Sequence, residues 1–402
     1  MSNLFKFLSQ ILLSISLYLS GWYIEGSMFQ VIQISAIMLL MAAGFFAAIS
    51  REVPALSLTI VEYIFGAAFL LATIVAFVHG NVLSTMYGLL FFLVVLSISV
   101  LVRYYEWLDL SLIFRRVYIA LLATILIVEP DSYFKSVVGT VEYGVGLVRF
   151  EPLGMHPNLS GFVYGGGTLL FLQSFLVSRN IRDKLVSIIF SALCFSIILA
   201  ASARASLLAV GMTVLIASMY MGWRGDFRIR AALAVLIFLS SFLMVFYIQE
   251  IFDYLTIVLD LESDTRGVES GATGRTDIWM DGVSLIIYDT FYLFFGRGVR
   301  AAGPDVIGFP VESSYINLAL EHGVIVGAVI AMVFVITAFR ALSNSTRVEG
   351  VDFIIFINGL MIIFALIQSI FNRYLLAIGN PFSLLLLFLL LSLGLKKIRN
   401  PS

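Results

Sequence analysis

Apolar residues run along this chain in long blocks separated by short polar or charged stretches. Twelve blocks stand out, at 7–24, 28–49, 57–78, 82–102, 111–128, 159–178, 185–201, 206–222, 231–250, 314–340, 353–371 and 375–394. A helix needs about 20 consecutive apolar residues to cross a bilayer. In lipid, backbone groups are satisfied only within helices or closed barrels. Barrel strands alternate polar and apolar positions, and a run such as LLFFLVVLSISVLV does not. The pattern therefore predicts an all-α, polytopic integral membrane protein with about 12 transmembrane helices. The order is helices 1–5 over residues 1–128, a loop at 129–158, and helices 6–9 over 159–250. A large loop at 251–313 and helices 10–12 over 314–402 follow. The first apolar run lacks a small-residue cleavage site, so no cleavable leader is expected.

Composition agrees. Apolar residues make up 61% and charged residues 12%, against about 25% charged in an ordinary soluble domain, which excludes a water-soluble globule. A net charge of −1 cannot neutralise a run of phosphates, so nucleic acid is excluded as a partner. One Cys and three His supply no zinc or disulfide framework, so neither metal nor cofactor is expected. Cys194, in an apolar run, reads as a small buried hydrophobe.

Charge sets the orientation. Sixteen of the 24 Lys and Arg fall in one set of alternate loops, with both termini. That set belongs in the cytoplasm. Arg115 and Arg116, on that side, are expected on an interfacial helix beginning near Tyr104. The opposite set holds Lys135, Arg149, Arg204, Arg266, Arg275, Arg297, Arg300 and Arg373. The 251–312 loop carries ten acids against four Arg. Its DLESDTRGVESGATG stretch reads as flexible. The following RTDIWMDGVSLIIYDTFYLFFG reads as an amphipathic helix.

Seven of the eight non-cytoplasmic cations are Arg. Arg offers a planar five-donor fork suited to phosphate, whereas Lys is a point charge. Arg204, Arg275, Arg297 and Arg300 lie beside apolar or Gly-rich sequence, where a cation is normally paired or anion-bound. Local pairing, as of Arg275 with Asp281 or Arg300 with Asp305, is the plainer reading for any single one. Arg204 and Arg275 together are read as functional. Arg373 lies between the last two spans. Glu62, inside the third span, is read as a structural group bonded to a tyrosine such as Tyr63 or Tyr87, with a proton relay as the alternative. GMHPNLSG, with His156 and Asn158, leads into a span, Asn158 being placed to cap it. PVESSYINLALEHGVIVG leads into another. There Glu312, Ser313 or Ser314 can cap the helix, or Glu312 can act as a base. Tyr315 is a candidate substrate contact. His322 is a candidate acid or base, or a buried hydrogen-bonded residue.

These segments resemble a known superfamily: the O-antigen polymerases (Wzy type) and O-antigen ligases of bacterial envelopes. HPN looks like the family's entry motif, SARASLLA like its Ser–Arg segment, and GRTDIW like the G-R-x-x-x-W opening of its large periplasmic loop. ESSYINLALEHGVIVG looks like the end of that loop. Ligases usually carry His-Asn about eleven positions before the first Gly of that motif; here the count lands on Glu312, which favours a polymerase. The resemblance implies metal-independent glycosyl transfer on undecaprenyl-diphosphate-linked oligosaccharide at the periplasmic face of the inner membrane. Arg204, Arg275, Arg297, Arg300 and Arg373 would hold the diphosphate and Glu312 would take the acceptor proton. Membrane lipids and a chain-length regulator protein are the implied partners. A ligase acting on lipid A core and a lipid-linked saccharide transporter are the alternatives.

Overall fold

The computed structural model describes residues 2–23, 27–50, 58–142, 149–224, 249, 275–300, 311–345 and 350–394. The block expected to span at 231–250, except Gln249, the stretch expected to be flexible at 260–274, and Asp305 lie outside them. Every named element among the described residues is helical: α1 (Ser2–Leu19), α2 (Ser27–Ile49), α3 (Ile60–Val78), α4 (Val82–Tyr104), α5 (Trp107–Val128), α6 (Pro130–Glu142), α7 (Pro157–Val177), α8 (Ile181–Ala200), α9 (Arg204–Arg224), α10 (Arg275–Tyr288), α11 (Thr290–Phe294), α12 (Ser314–His322), α13 (Val324–Asn344), α14 (Gly350–Phe371) and α15 (Pro381–Gly394), with a 3-10 turn at Pro152–Gly154. Nine of these helices are long and apolar enough to cross a membrane, and α1 and α15 are shorter apolar helices. The chain is a polytopic, all-α membrane protein.

Three elements differ from the sequence pattern. The block at 314–340 is two helices, broken at Gly323, whose φ is +80°. Hydrophobicity continues through the break, but a left-handed glycine ends a helix. The final helix starts at Pro381 rather than 375. The Asn380 side chain accepts from Ser383 N at 2.8 Å, and proline suits the first helical position. Arg115 and Arg116 lie within the unbroken α5 rather than on a separate interfacial helix.

The chain divides into two compact units. The first comprises Met1–Leu121, Arg275–Thr337 and Ser369–Ser402. Its helices approach closely through small residues, as membrane helices do. Ser9 Oγ and Ser16 Oγ donate to Ala43 O and Ala36 O across α1 and α2, at 2.9 and 2.6 Å. Gly88 of α4 leaves room for Thr73 of α3, and Gly44 of α2 for Ser97 of α4. Glu62, three residues into α3, forms a capping box with Thr59 and a buried ion pair with Arg103 of α4. Its partner is thus an arginine, not Tyr63 or Tyr87. Arg103 Nη2 donates to Glu62 Oε2 at 2.7 Å. The two charges lie forty-one residues apart, so spacing along one helix does not reveal them.

The second unit comprises Leu122–Gly274 and Ala338–Gln368. At its centre α7 is buried along most of its length. Gly165 accepts the ring of Phe364, and Gly161 lies against Ser206 and Ala203 at the start of α9. Gln173 Nε2 donates to Asn358 Oδ1 of α14 at 2.7 Å. Cys194 is fully buried.

Candidate functional site

In the first unit, the large loop's helix α10 carries Arg275 at its first position. Arg275 Nε donates to Glu312 Oε2 at 2.9 Å, both side chains being partly exposed. Trp279, one turn on, donates its indole N–H to Glu312 O at 3.3 Å. Ser313 is the N-cap of α12 by position but makes no side-chain cap, and Glu312 serves Arg275 instead. Ser314 Oγ donates to Asn372 O at 2.5 Å and accepts from Leu375 N at 3.1 Å. One buried hydroxyl thus pins the start of α12 to the turn that carries Arg373. Arg373 hydrogen-bonds Tyr374. Burial pushes the Tyr374 hydroxyl up; Arg373 and Arg275 pull it down and Glu312 adds to the rise. These four side chains therefore share one electrostatic neighbourhood.

Arg300 extends this neighbourhood. The segment 296–300 is threaded against α3, α4 and α12. Ser84 Oγ donates to Val299 O at 2.6 Å. Arg297 N and Gly298 N donate to Leu320 O and Glu321 O at 2.9 and 3.0 Å. Arg300 itself has φ +60°, a left-handed conformation uncommon for a residue with a side chain. Its Nη2 donates to Gln33 Oε1 of α2 at 2.7 Å, and its guanidinium lies 3.9 Å from the ring centroid of Tyr87. Its backbone N donates to Glu321 Oε1 at 2.8 Å. Burial pushes Glu321 up to about 7, opposed by the Arg300 amide, Asn317, and the charges of Arg300 and Arg373. Tyr23 donates to Gly379 O at 3.3 Å; burial raises its pKa, and Tyr374 and Arg300 both act on it.

The structure thus brings Arg275, Arg300, Arg373 and Glu312 into one neighbourhood, with Glu321 and Tyr23 added. Tyr315, partly buried, follows on α12 and burial raises its pKa. His322 is apart: its ring packs edge-on against Phe69 at 5.7 Å, and burial pulls it down to about 4. Arg297 is also apart. It pairs with Asp289 at 2.7 Å, meets His79 Nδ1 at 3.1 Å and lies over Phe291 and Tyr292.

In the second unit, His156 is the N-cap of α7: its Nδ1 accepts from Asn158 N at 3.3 Å. Pro157 takes the first helical position, which puts the cap at His156, two residues ahead of Asn158. The Asn158 side chain instead accepts from Arg149 Nη2 at 3.3 Å, while Arg149 Nε donates to Ala201 O at 3.1 Å. Arg204 opens α9 just after Ser202, whose φ is +49°. The HPN and SAR segments are therefore neighbours, joined through Arg149 and the Gly161–Ser206 contact. Arg149, Gln33 and Tyr374 are not singled out as site residues by the sequence, and Glu321 stands there only as a fallback candidate for the base. A pair of glutamines, Gln30 and Gln33, in an apolar block, and a lone acid in LALEHG, are the available signals.

Three cations, Arg275 and Arg300 partly exposed and Arg373 exposed, beside two carboxylates can hold a multivalent anion through charge-assisted bonds. The carboxylates can exchange protons with a bound hydroxyl. No protein-family model matches the chain, and no curated protein sequence matches it.

Proposed function

We propose that this protein is an O-antigen polymerase of the Wzy type, or polymerises a related surface polysaccharide. It joins undecaprenyl-diphosphate-linked repeat units at the periplasmic face of the bacterial inner membrane, with both termini cytoplasmic. The observation that carries this reading is the gathering of Arg275, Arg300 and Arg373 with Glu312. An acceptor sugar hydroxyl attacks the anomeric carbon of the donor, forming a C–O bond. The bond from that carbon to the diphosphate oxygen breaks, and undecaprenyl diphosphate leaves. Planar guanidinium groups stabilise the charge gathering on that leaving group. Glu312 takes the hydroxyl proton through Oε1, since the Arg275 bond uses Oε2. Arg204, with Asn158 and His156 at the neighbouring helix start, offers the second unit its own contacts for anionic substrate. Apolar, Phe-rich helices accommodate the polyprenyl chains.

The test is incubation of purified protein with a lipid-linked repeat unit, followed by a gel. A ladder of lengths supports polymerisation. Transfer of preformed polymer to lipid A core, without a ladder, would make the protein a ligase. Movement of the unit across a vesicle membrane without chemistry would make it a transporter.

A further inference from the structure

Glu321 has no part in the transfer step described above, although among the described residues it is the acid that hydrogen-bonds Arg300. Its Oε1 accepts from the Arg300 backbone N at 2.8 Å. Its own backbone O is taken by Gly298 N at 3.0 Å. Gly296 sits so close that a Cβ there would meet Glu321 C and O at 2.4 Å. Arg300 is consequently clamped in its left-handed conformation, and its guanidinium is delivered to Gln33 and the Tyr87 ring. A guanidinium has five N–H donors; the Gln33 bond uses one nitrogen, and a face on an aromatic ring leaves the planar edge for a ligand.

We propose that Glu321 is a positioning residue for an anion site built on Arg300 and Arg373, fixing Arg300 through its backbone and setting the charge that an incoming phosphate meets. This deepens the reading of these arginines as diphosphate ligands and rests on it. The groups facing Glu321 are Asn317 on its own helix, Arg300 from the threaded segment and Arg373 from the turn after α14. The next residue, His322, turns to Phe69 of α3. Two cations thus face one carboxylate. While that carboxylate is ionised it competes with the phosphate for them; once protonated it no longer does. With its carboxyl near 7, that change falls within the physiological range.

Glutamine at 321 keeps an acceptor oxygen for the Arg300 amide but carries no charge; alanine keeps neither. The experiment is calorimetric titration of inorganic pyrophosphate into full-length protein in nanodiscs at pH 6 and pH 8. Glu321→Gln should bind like wild type at pH 6 and about tenfold tighter than wild type at pH 8. Comparing the two proteins at each pH cancels the titration of pyrophosphate itself. Glu321→Ala should bind about tenfold more weakly than Glu321→Gln at both pH values. Gln33→Leu frees the other end of Arg300 without touching α12, and should weaken binding while keeping the wild-type pH profile. The proposal is overturned if Glu321→Gln tracks wild type at both pH values, if Glu321→Ala matches Glu321→Gln, or if wild type does not bind pyrophosphate. The outcome is separable from polymerisation. Protein that binds in this pattern yet makes no ladder refutes the polymerase reading alone. Protein that makes ladders while Glu321→Gln tracks wild type refutes this one.

Discussion

Arg275 and Glu312, thirty-seven residues apart, meet at 2.9 Å where the large loop begins its first described helix and where it returns to the helical core. The pair closes the described end of the loop and places an arginine fork beside the carboxylate assigned to proton transfer.

If that pair is catalytic, Arg275→Lys keeps the charge and loses the fork, so ladder formation should fall nearly as far as with Arg275→Ala. Glu312→Gln should fold, bind lipid-linked donor and polymerise about 10²–10⁴-fold more slowly. Near-normal ladders from both variants would reduce the pair to a structural clasp.

Orientation has its own test. A cysteine introduced as Ser270→Cys, with Cys194→Ala to remove the buried thiol, should react with an impermeant reagent on intact spheroplasts. Labelling that appears only after lysis would place the loop in the cytoplasm and remove the polymerase reading with it.

The buried Glu62–Arg103 pair predicts a stability effect with little change in chemistry. Removing one partner strands the other in an apolar surround, at a cost of about 3–5 kcal/mol. Thermal unfolding in detergent should show Glu62→Leu and Arg103→Leu each strongly destabilised. The double variant should be more stable than either single one. Additive losses would mean that the two charges do not depend on each other.

Gly161 tests the junction of the HPN and SAR segments. A Cβ there would meet Ser206 Oγ at 2.1 Å and Ala203 Cβ at 2.5 Å. Gly161→Ala should therefore force α7 and α9 apart and lower stability by about 1–3 kcal/mol. Ser206→Gly in the same chain should restore part of the loss. An unaffected melting temperature for Gly161→Ala would show that the helices separate freely.

Much of the architecture was legible because lipid leaves the backbone few options. Long apolar blocks at 82–102 and 159–178 appear as α4 and α7 with ends shifted by a residue or two. The break at Gly323 was hidden, since Val324 and Ile325 continue the apolar run and only the backbone angle ends the helix. The interfacial helix expected near Arg115 failed for a related reason: α5 carries both arginines without interrupting its hydrogen bonds. At the site, arginine chemistry pointed to Arg275, Arg300 and Arg373, but their partners come from distant segments. Gln33 and Arg300 are 267 positions apart, a pairing that no local pattern encodes. Arg297 looks the same as Arg300 in GRGVR, yet one meets Asp289 and the other Gln33 and Tyr87.

The junction between the 296–298 segment and the end of α12 is made of main chain on both sides. Arg297 N and Gly298 N reach Leu320 O and Glu321 O, while Gly296 and Gly323 let the two backbones touch. Every residue offers a main-chain carbonyl to accept and every residue but proline an N–H to donate, so this joint survives replacement of nearly any side chain around it. The glycines are the exception: a methyl at Gly296 or Gly323 would collide with main-chain atoms at 2.3–2.4 Å, and one at Gly298, whose φ is +99°, would meet Ser84 Oγ at 2.5 Å. The side chains around it can therefore vary and still leave the same seat for Arg300. What the joint demands of the sequence is a spaced set of glycines rather than any charged residue.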